Sequence, residues 1–195
     1  MDPCRTIRGQ ARRAKTIEPS RFHLRPQCAA DMPFLLHLYG DVRRAELDAT
    51  GWPELQRHAF LNHQFLLQTH HYRTYYPAAS FDLIEVADAP AGRLYVDEGQ
   101  TDCRIIDISL LATHRNLGLG GAVLRQVVTR ATVRRKTVSL HVMLGNPAIR
   151  LYRRMGFQVI DPSDPMQILM RCAVGPGAPG RIDDAGHPSE ERIFE

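Results

Sequence analysis

From its first apolar segment onward, the chain alternates short extended stretches with amphipathic ones. Phe22-His23-Leu24-Arg25 reads as a strand, and Pro26 ends it because proline cannot donate to a β-ladder. Asp31 stands at an N-cap position, with Pro33 near the first helical turn. Phe34, Leu35, Leu38, Tyr39 and Val42 recur at helical spacing and predict a first helix, which Thr50-Gly51-Trp52-Pro53 breaks. A second helix is expected from about Glu54 to Tyr72, with Leu55, Ala59, Leu66 and Leu67 as its apolar stripe and Pro77 beyond its end. Ser80 to Ala87, Arg93 to Glu98 and Cys103 to Leu111 then read as three successive antiparallel strands. Turns at Asp88-Ala89-Pro90-Ala91-Gly92 and Gly99-Gln100-Thr101-Asp102 separate them.

The period then changes. Val123, Leu124, Val127, Val128 and Ala131 lie on one face of a helix, with Arg130, Arg134 and Arg135 towards its C-terminal end, where cations suit the helix dipole. In Thr137 to Val142 the apolar residues Val138, Leu140 and Val142 alternate with Ser139 and His141, which predicts a strand. Asn146-Pro147 opens a short helix carrying Ala148, Leu151, Tyr152 and Met155, with Gly156 as its C-cap. Phe157 to Ile160 and Gln167 to Val174 close the pattern as two strands. The fold class is therefore α/β (α+β): a mixed, mostly antiparallel sheet with helices on both faces, in one domain over residues 21–174. Residues 1–20 are basic, residues 175–195 acidic and rich in Gly and Pro, and both are expected to be disordered tails.

Composition narrows the classes. With 44% apolar residues, the 195-residue chain has the make-up of a globular domain. No apolar run reaches the length of a membrane span, and Arg5, Arg8, Arg12, Arg13 and Lys15 interrupt any signal-peptide core, so a cytoplasmic protein is expected. Cys4, Cys28, Cys103 and Cys172 are far apart and read as free thiols, with no zinc site. The net charge of +4 gathers in the N-terminal arm, which lacks the interleaved aromatics of a nucleic-acid binder, so nucleic acid is not an expected partner. His58, His63, His70 and His71 lack the HExxH spacing of a zinc helix, and no metal is expected.

The segment that carries chemistry is Arg115-Asn116-Leu117-Gly118-Leu119-Gly120-Gly121-Ala122, between an apolar strand and an amphipathic helix. Glycines remove the Cβ atoms that hold an anion off the backbone, and the first-turn N–H groups point at whatever binds there. A tight strand-to-helix packing turn would use glycines too. The dinucleotide fingerprint fails, because Val123 occupies its third glycine position and no acidic residue stands near Ser139 to His141. The P-loop fails for want of Gly-Lys-Ser/Thr.

The segment resembles motif A of the GCN5-related N-acetyltransferases (GNAT), written Arg/Gln-x-x-Gly-x-Gly/Ala, through Arg115, Gly118 and Gly120. Asn146, Ala148, Leu151, Tyr152, Gly156 and Phe157 are similar to the family's later helix signature, and the element order over residues 22–174 also looks like the family's. The resemblance implies acetyl-CoA as co-substrate, with no metal, and acetyl transfer to a primary amine by direct attack in a ternary complex. It implies that backbone groups of Ile108, Ser109 and Leu110 bind the pantetheine arm. Arg115, Asn116, Leu117, Gly118, Leu119, Gly120 and Gly121 would hold the pyrophosphate, and Asn146 would contact the cofactor. Tyr152 would protonate the departing thiolate. The base is left open between His141 and Asp107, with Glu85 and Glu98 more distant; Tyr72, Tyr75 and Tyr76 are candidates to line the acceptor cleft. The acceptor is a small-molecule amine or a peptide or protein amine, and a homodimer is compatible with the resemblance. The rival reading is a non-catalytic acyl-CoA sensor or partner-binding module.

Overall fold

The computed structural model describes residues 22–173; the tails expected at 1–20 and 175–195, and Cys4, lie outside them. Seven strands form one sheet: β1 (Phe22–Pro26), β2 (Ser80–Val86), β3 (Ala89–Glu98), β4 (Asp102–Leu110), β5 (Thr137–Met143), β6 (Gln158–Asp161) and β7 (Gln167–Cys172). Their spatial order is β1-β2-β3-β4-β5-β7-β6, and only the β4–β5 pair is parallel. The helices are α1 (Met32–Val42), α2 (Arg44–Asp48), α3 (Glu54–Tyr75), α4 (Leu119–Val133) and α5 (Ile149–Arg154). The expected mixed sheet with helices on both faces is what the chain forms. Helix α2 was not separated in the sequence, because Thr50-Gly51-Trp52-Pro53 marks only the later of two breaks. The β2–β3 turn is tighter than expected: Ala87 and Asp88 both take positive φ, 50° and 60°, and β3 starts at Ala89.

The strand alternation sorts the sheet into two faces. One face sends Leu94, Val96, Ile105, Val138, Leu140, Val142, Ile168 and Met170 against α4 and α5, in the main core. Residues of α4 spaced for one helical face, among them Leu119, Val123, Leu124, Val127 and Ala131, fill the other side of that core. On the opposite face, among the described residues, α1 and α3 pack against β2 to β4. There Leu35 and Tyr39 of α1 and Phe65 of α3 meet Leu83.

Helix α3 departs from its predicted stripe. Leu55, Ala59, Leu66 and Leu67 are all exposed, Leu55 by 84%. The inward positions are Leu61, Phe65, Gln68 and Tyr72, a true helical repeat that the polar Gln68 and Tyr72 hide from a hydrophobicity count. Phe65→Ala is expected to cost about 3–5 kcal/mol. Leu66→Gln is expected to change stability by no more than about 0.5 kcal/mol, as an exposed substitution does. Denaturant unfolding of the two variants checks the assignment, and a large loss for Leu66→Gln would reverse it.

The feature that positions the site lies in β4. Tyr95 pairs with Asp107 while the next residue, Val96, pairs with Ile105, so Ile106 is an extra residue, a β-bulge. Pairing of β4 with β5 ends at that same point, at Ile105 opposite Leu140. Beyond it β4 stays with β3 and β5 stays with β7, and a V-shaped gap opens between them.

Candidate active site

Three elements converge at the mouth of this gap. The chain leaves β4 at Leu110, makes a 3-10 turn at Ala112–His114 and enters α4 at Leu119. Gly118, the N-cap, holds φ +86°, and Asn116 holds φ +60°, a conformation asparagine tolerates. The N–H groups of Leu119, Gly120 and Gly121 therefore open the helix without partners in its first turn. A Cβ built on Gly120 would stand 3.6 Å from both Leu110 Cδ1 and Leu151 Cδ2, so β4, α4 and α5 meet at this residue. A methyl there makes ordinary contacts, whereas a larger side chain has to project from the first turn over the N–H groups.

Antiparallel bonding alternates along β4. Leu111 N–H donates to Ala91 O at 2.9 Å, so the backbone groups of Leu111, Ser109 and Asp107 face β3. Those of Ile108 and Leu110 face the gap. Of the three strand residues assigned to the pantetheine, Ser109 is thus turned away, because its backbone is spent on the β3 ladder. Its hydroxyl donates to Asp107 Oδ1 at 2.6 Å.

Arg115 does not project from the loop as a phosphate-facing cation. Its Nε donates to the Leu110 carbonyl at 2.7 Å and its Nη2 to Asp41 Oδ2 at 2.8 Å. Asp41, in the last turn of α1 and only 8% exposed, also accepts Ala112 N–H at 2.7 Å and Arg44 Nη2 at 3.0 Å. Sequence reading missed Asp41, which sits 74 positions away from Arg115 and carries no motif of its own. The Asn146 carboxamide oxygen accepts Ala148 N–H at 2.9 Å, so it shapes the turn into α5.

Tyr152 of α5 is buried, its ring 5.8 Å from that of Phe157. Burial, and then the negative charge of Asp107, push its phenol up to about 12. The phenol is therefore protonated at any working pH and lies within reach of the charge on β4.

Neither base candidate is poised to accept a proton. Asp107 takes Arg93 Nη2 at 2.6 Å, the Tyr72 hydroxyl at 3.2 Å and Ser109. Arg93 is 3% exposed and also donates to Gln68 Oε1 at 2.8 Å, which makes Asp107 the counter-ion of a buried cation. His141 follows Leu140, just beyond the last β4–β5 pair, and is exposed. Arg104 Nη2 lies 2.9 Å from its Nδ1. A guanidinium only donates, so in the neutral ring Nδ1 accepts and Nε2 carries the proton. Glu85 is tied to His23 and Arg25, and Glu98, at the far end of β3, to Arg130, Arg134 and Lys136. Among the tyrosines, Tyr72 is the anchor just described, pushed well above its usual range by burial and by Asp107, Tyr76 faces Arg104 and Tyr75 is exposed. Among the described residues, no group of three or more His, Cys, Asp or Glu side chains is placed to hold a metal ion, and no helix is long and apolar enough to cross a membrane.

A parallel β4–β5 pair that parts at a bulge, with a glycine-rich helix start at its mouth, is the fold of the GNAT acetyltransferases. Solved structures share it. PaiA N-acetyltransferase from Thermoplasma acidophilum, in complex with coenzyme A, aligns at 14% identity and a TM-score of 0.59, over 78% of this chain and 98% of that one. Ard1 from Thermoplasma volcanium aligns at 18% identity and 0.54, over 80% and 99%. A GNAT family acetyltransferase from Elizabethkingia anophelis, with acetyl-CoA bound, aligns at 15% and 0.52, over 79% and 99%. In sequence, residues 84–164, from the end of β2 past β6, match the family model described as FR47-like protein. The chain thus shares the fold of these acetyltransferases and, over its middle, matches the FR47-like model. No curated protein matches it.

Proposed function

We propose that the protein is an acetyl-CoA-dependent N-acetyltransferase acting on a primary amine by direct transfer. The observation that carries the reading is the coincidence, around Gly120, of the gap-facing backbone of Ile108 and Leu110, the open first turn of α4 and the helix bearing Tyr152. A pantetheine arm lying in the gap would bond the backbone of Ile108 and Leu110, which β5 leaves unpaired. The N–H groups of Leu119, Gly120 and Gly121 suit a pyrophosphate. Leu110 N–H, whose carbonyl is already covered by Arg115, is left as the donor for the thioester oxygen.

Tyr152 then faces the departing sulfur. Full transfer from a phenol near 12 to a thiolate near 8.5 runs uphill by roughly 5 kcal/mol. Its role is accordingly to hydrogen-bond the developing thiolate, which takes its proton from the nitrogen of the collapsing tetrahedral intermediate as that nitrogen becomes the neutral amide. The proton released by the amine goes to solvent, since Asp107 and His141 are both engaged. Buried Cys103 and Cys172, with thiols pushed up by burial, offer no acyl-enzyme. A cytoplasmic setting suits these thiols and the soluble co-substrate. The acceptor is a small-molecule amine or a peptide amine.

Calorimetry with acetyl-CoA on the full chain and on Gly120→Glu tests the site, followed by a thiol-release assay with a panel of amines. The expected result is binding by the intact protein and at least a hundredfold loss in the variant, about 3 kcal/mol, as a carboxylate over the first-turn N–H groups requires. A folded intact protein that ignores acetyl-CoA removes the reading. One that binds it but releases no thiol with any amine turns the reading into that of an acyl-CoA sensor.

A further inference from the structure

Asp41 is an expensive residue where it stands. It is a nearly buried carboxylate in the last turn of α1, the helix end whose dipole disfavours negative charge. Its bonds explain its place. One oxygen, Oδ2, takes both Ala112 N–H and Arg115 Nη2, the first residue after Leu111 and the first residue of the glycine-rich segment. Arg115 in turn spans back to the Leu110 carbonyl. A single carboxylate thus closes the loop between the end of β4 and the start of α4 from outside, on a helix that contributes nothing else to that loop's bonding.

We propose that Asp41 is the positioning residue of the cofactor loop. It holds Arg115 over the Leu110 carbonyl, and so fixes at once the strand end that meets the thioester and the turn that presents Leu119 to Gly121. On this view Arg115 serves cofactor binding through geometry and not as a phosphate contact. The inference rests on the acetyl-CoA reading given above.

Electrostatics makes the test sharp in sign. Removing a carboxylate close to an anion site should by itself tighten binding. Positioning predicts the reverse. Asp41→Asn in the full chain is expected to weaken acetyl-CoA roughly tenfold, the effect of one charge-assisted hydrogen bond. KM for acetyl-CoA rises in step and kcat falls with the displaced Leu110 amide, while KM for the amine stays within about twofold. Arg115→Gln gives a similar loss, the double variant loses no more than either single one, and Arg44→Ala leaves binding unchanged. Equal or tighter binding by Asp41→Asn, or losses that add, overturns the proposal. If the intact protein binds no acetyl-CoA, the acetyl-CoA reading fails and the clamp is judged separately. Hydrogen exchange at the Ala112 amide in the ligand-free chain is then expected to be faster in Asp41→Asn, and an unchanged rate overturns the clamp. Should Asp41→Asn not fold, Arg115→Gln carries the acetyl-CoA binding and kinetic measurements, because Asp41 keeps Ala112 and Arg44 as partners.

Discussion

Replacing Tyr152 by phenylalanine is expected to lower kcat on the order of a hundredfold, the low end of what a positioned proton donor contributes. KM for acetyl-CoA should move little, since the ring and its contact with Phe157 remain. The low end applies because the phenol, pushed up to about 12 by burial and by Asp107, stabilises the thiolate as a hydrogen-bond donor without surrendering its proton. The rate should therefore show no inflection from Tyr152 below about pH 10. A steady-state comparison with the best amine checks this. A kcat within about twofold of the intact protein removes Tyr152 from the chemistry and leaves it as a packing residue.

The second large effect concerns Asp107 and is one of stability. Asp107→Ala strands the Arg93 guanidinium, 3% exposed, with Gln68 and the Tyr95 ring as its remaining company. Burial alone disfavours the charge on that guanidinium. The Asp107 charge and the neighbouring tyrosines outweigh it and hold Arg93 above its ordinary value. Breaking such a pair from one side costs about 3–5 kcal/mol. For a domain of this size the midpoint of thermal unfolding falls by about 10 °C. The double variant Asp107→Ala with Arg93→Met is expected to recover much of the loss, because no charge is then left alone. Were Asp107 the base and not the anchor, Asp107→Ala would keep its melting temperature and lose kcat.

What the sequence revealed follows from what its patterns encode. Period and turn residues sufficed to find the strands and α1, α4 and α5, because most of the buried residues there are apolar, although β3 begins inside the expected turn. Helix α3 misled on its face because it buries Gln68 and Tyr72 over Arg93 and Asp107, which no hydrophobic count favours. Motif A and the Tyr152 helix could be read because local backbone chemistry fixes them, glycine by glycine. The engagement of Asp107, His141 and Asn146 could not, since each depends on a partner's geometry. Arg104 lies 37 positions from His141 and Arg93 lies 14 from Asp107, whereas Asn146 is turned to an amide only two residues on. The bulge at Ile106 left no sign in the sequence either, since Ile-Ile-Asp-Ile reads as an ordinary strand.

Helix α3 also shows how a long element is kept in one place with little grease. Of its 22 residues only Phe65 is fully buried. An apolar patch that small would tolerate a slide of one turn, about 5.4 Å, with modest loss. The C-terminal half forbids it: Tyr72 and Gln68 meet the Asp107–Arg93 pair, and Arg73 lies 3.9 Å over the Phe81 ring. Such contacts work like the wards of a key, adding little net adhesion but admitting a single alignment. Because the lock is cut into β3 and β4, the helix is indexed to the same strand whose bulge opens the gap.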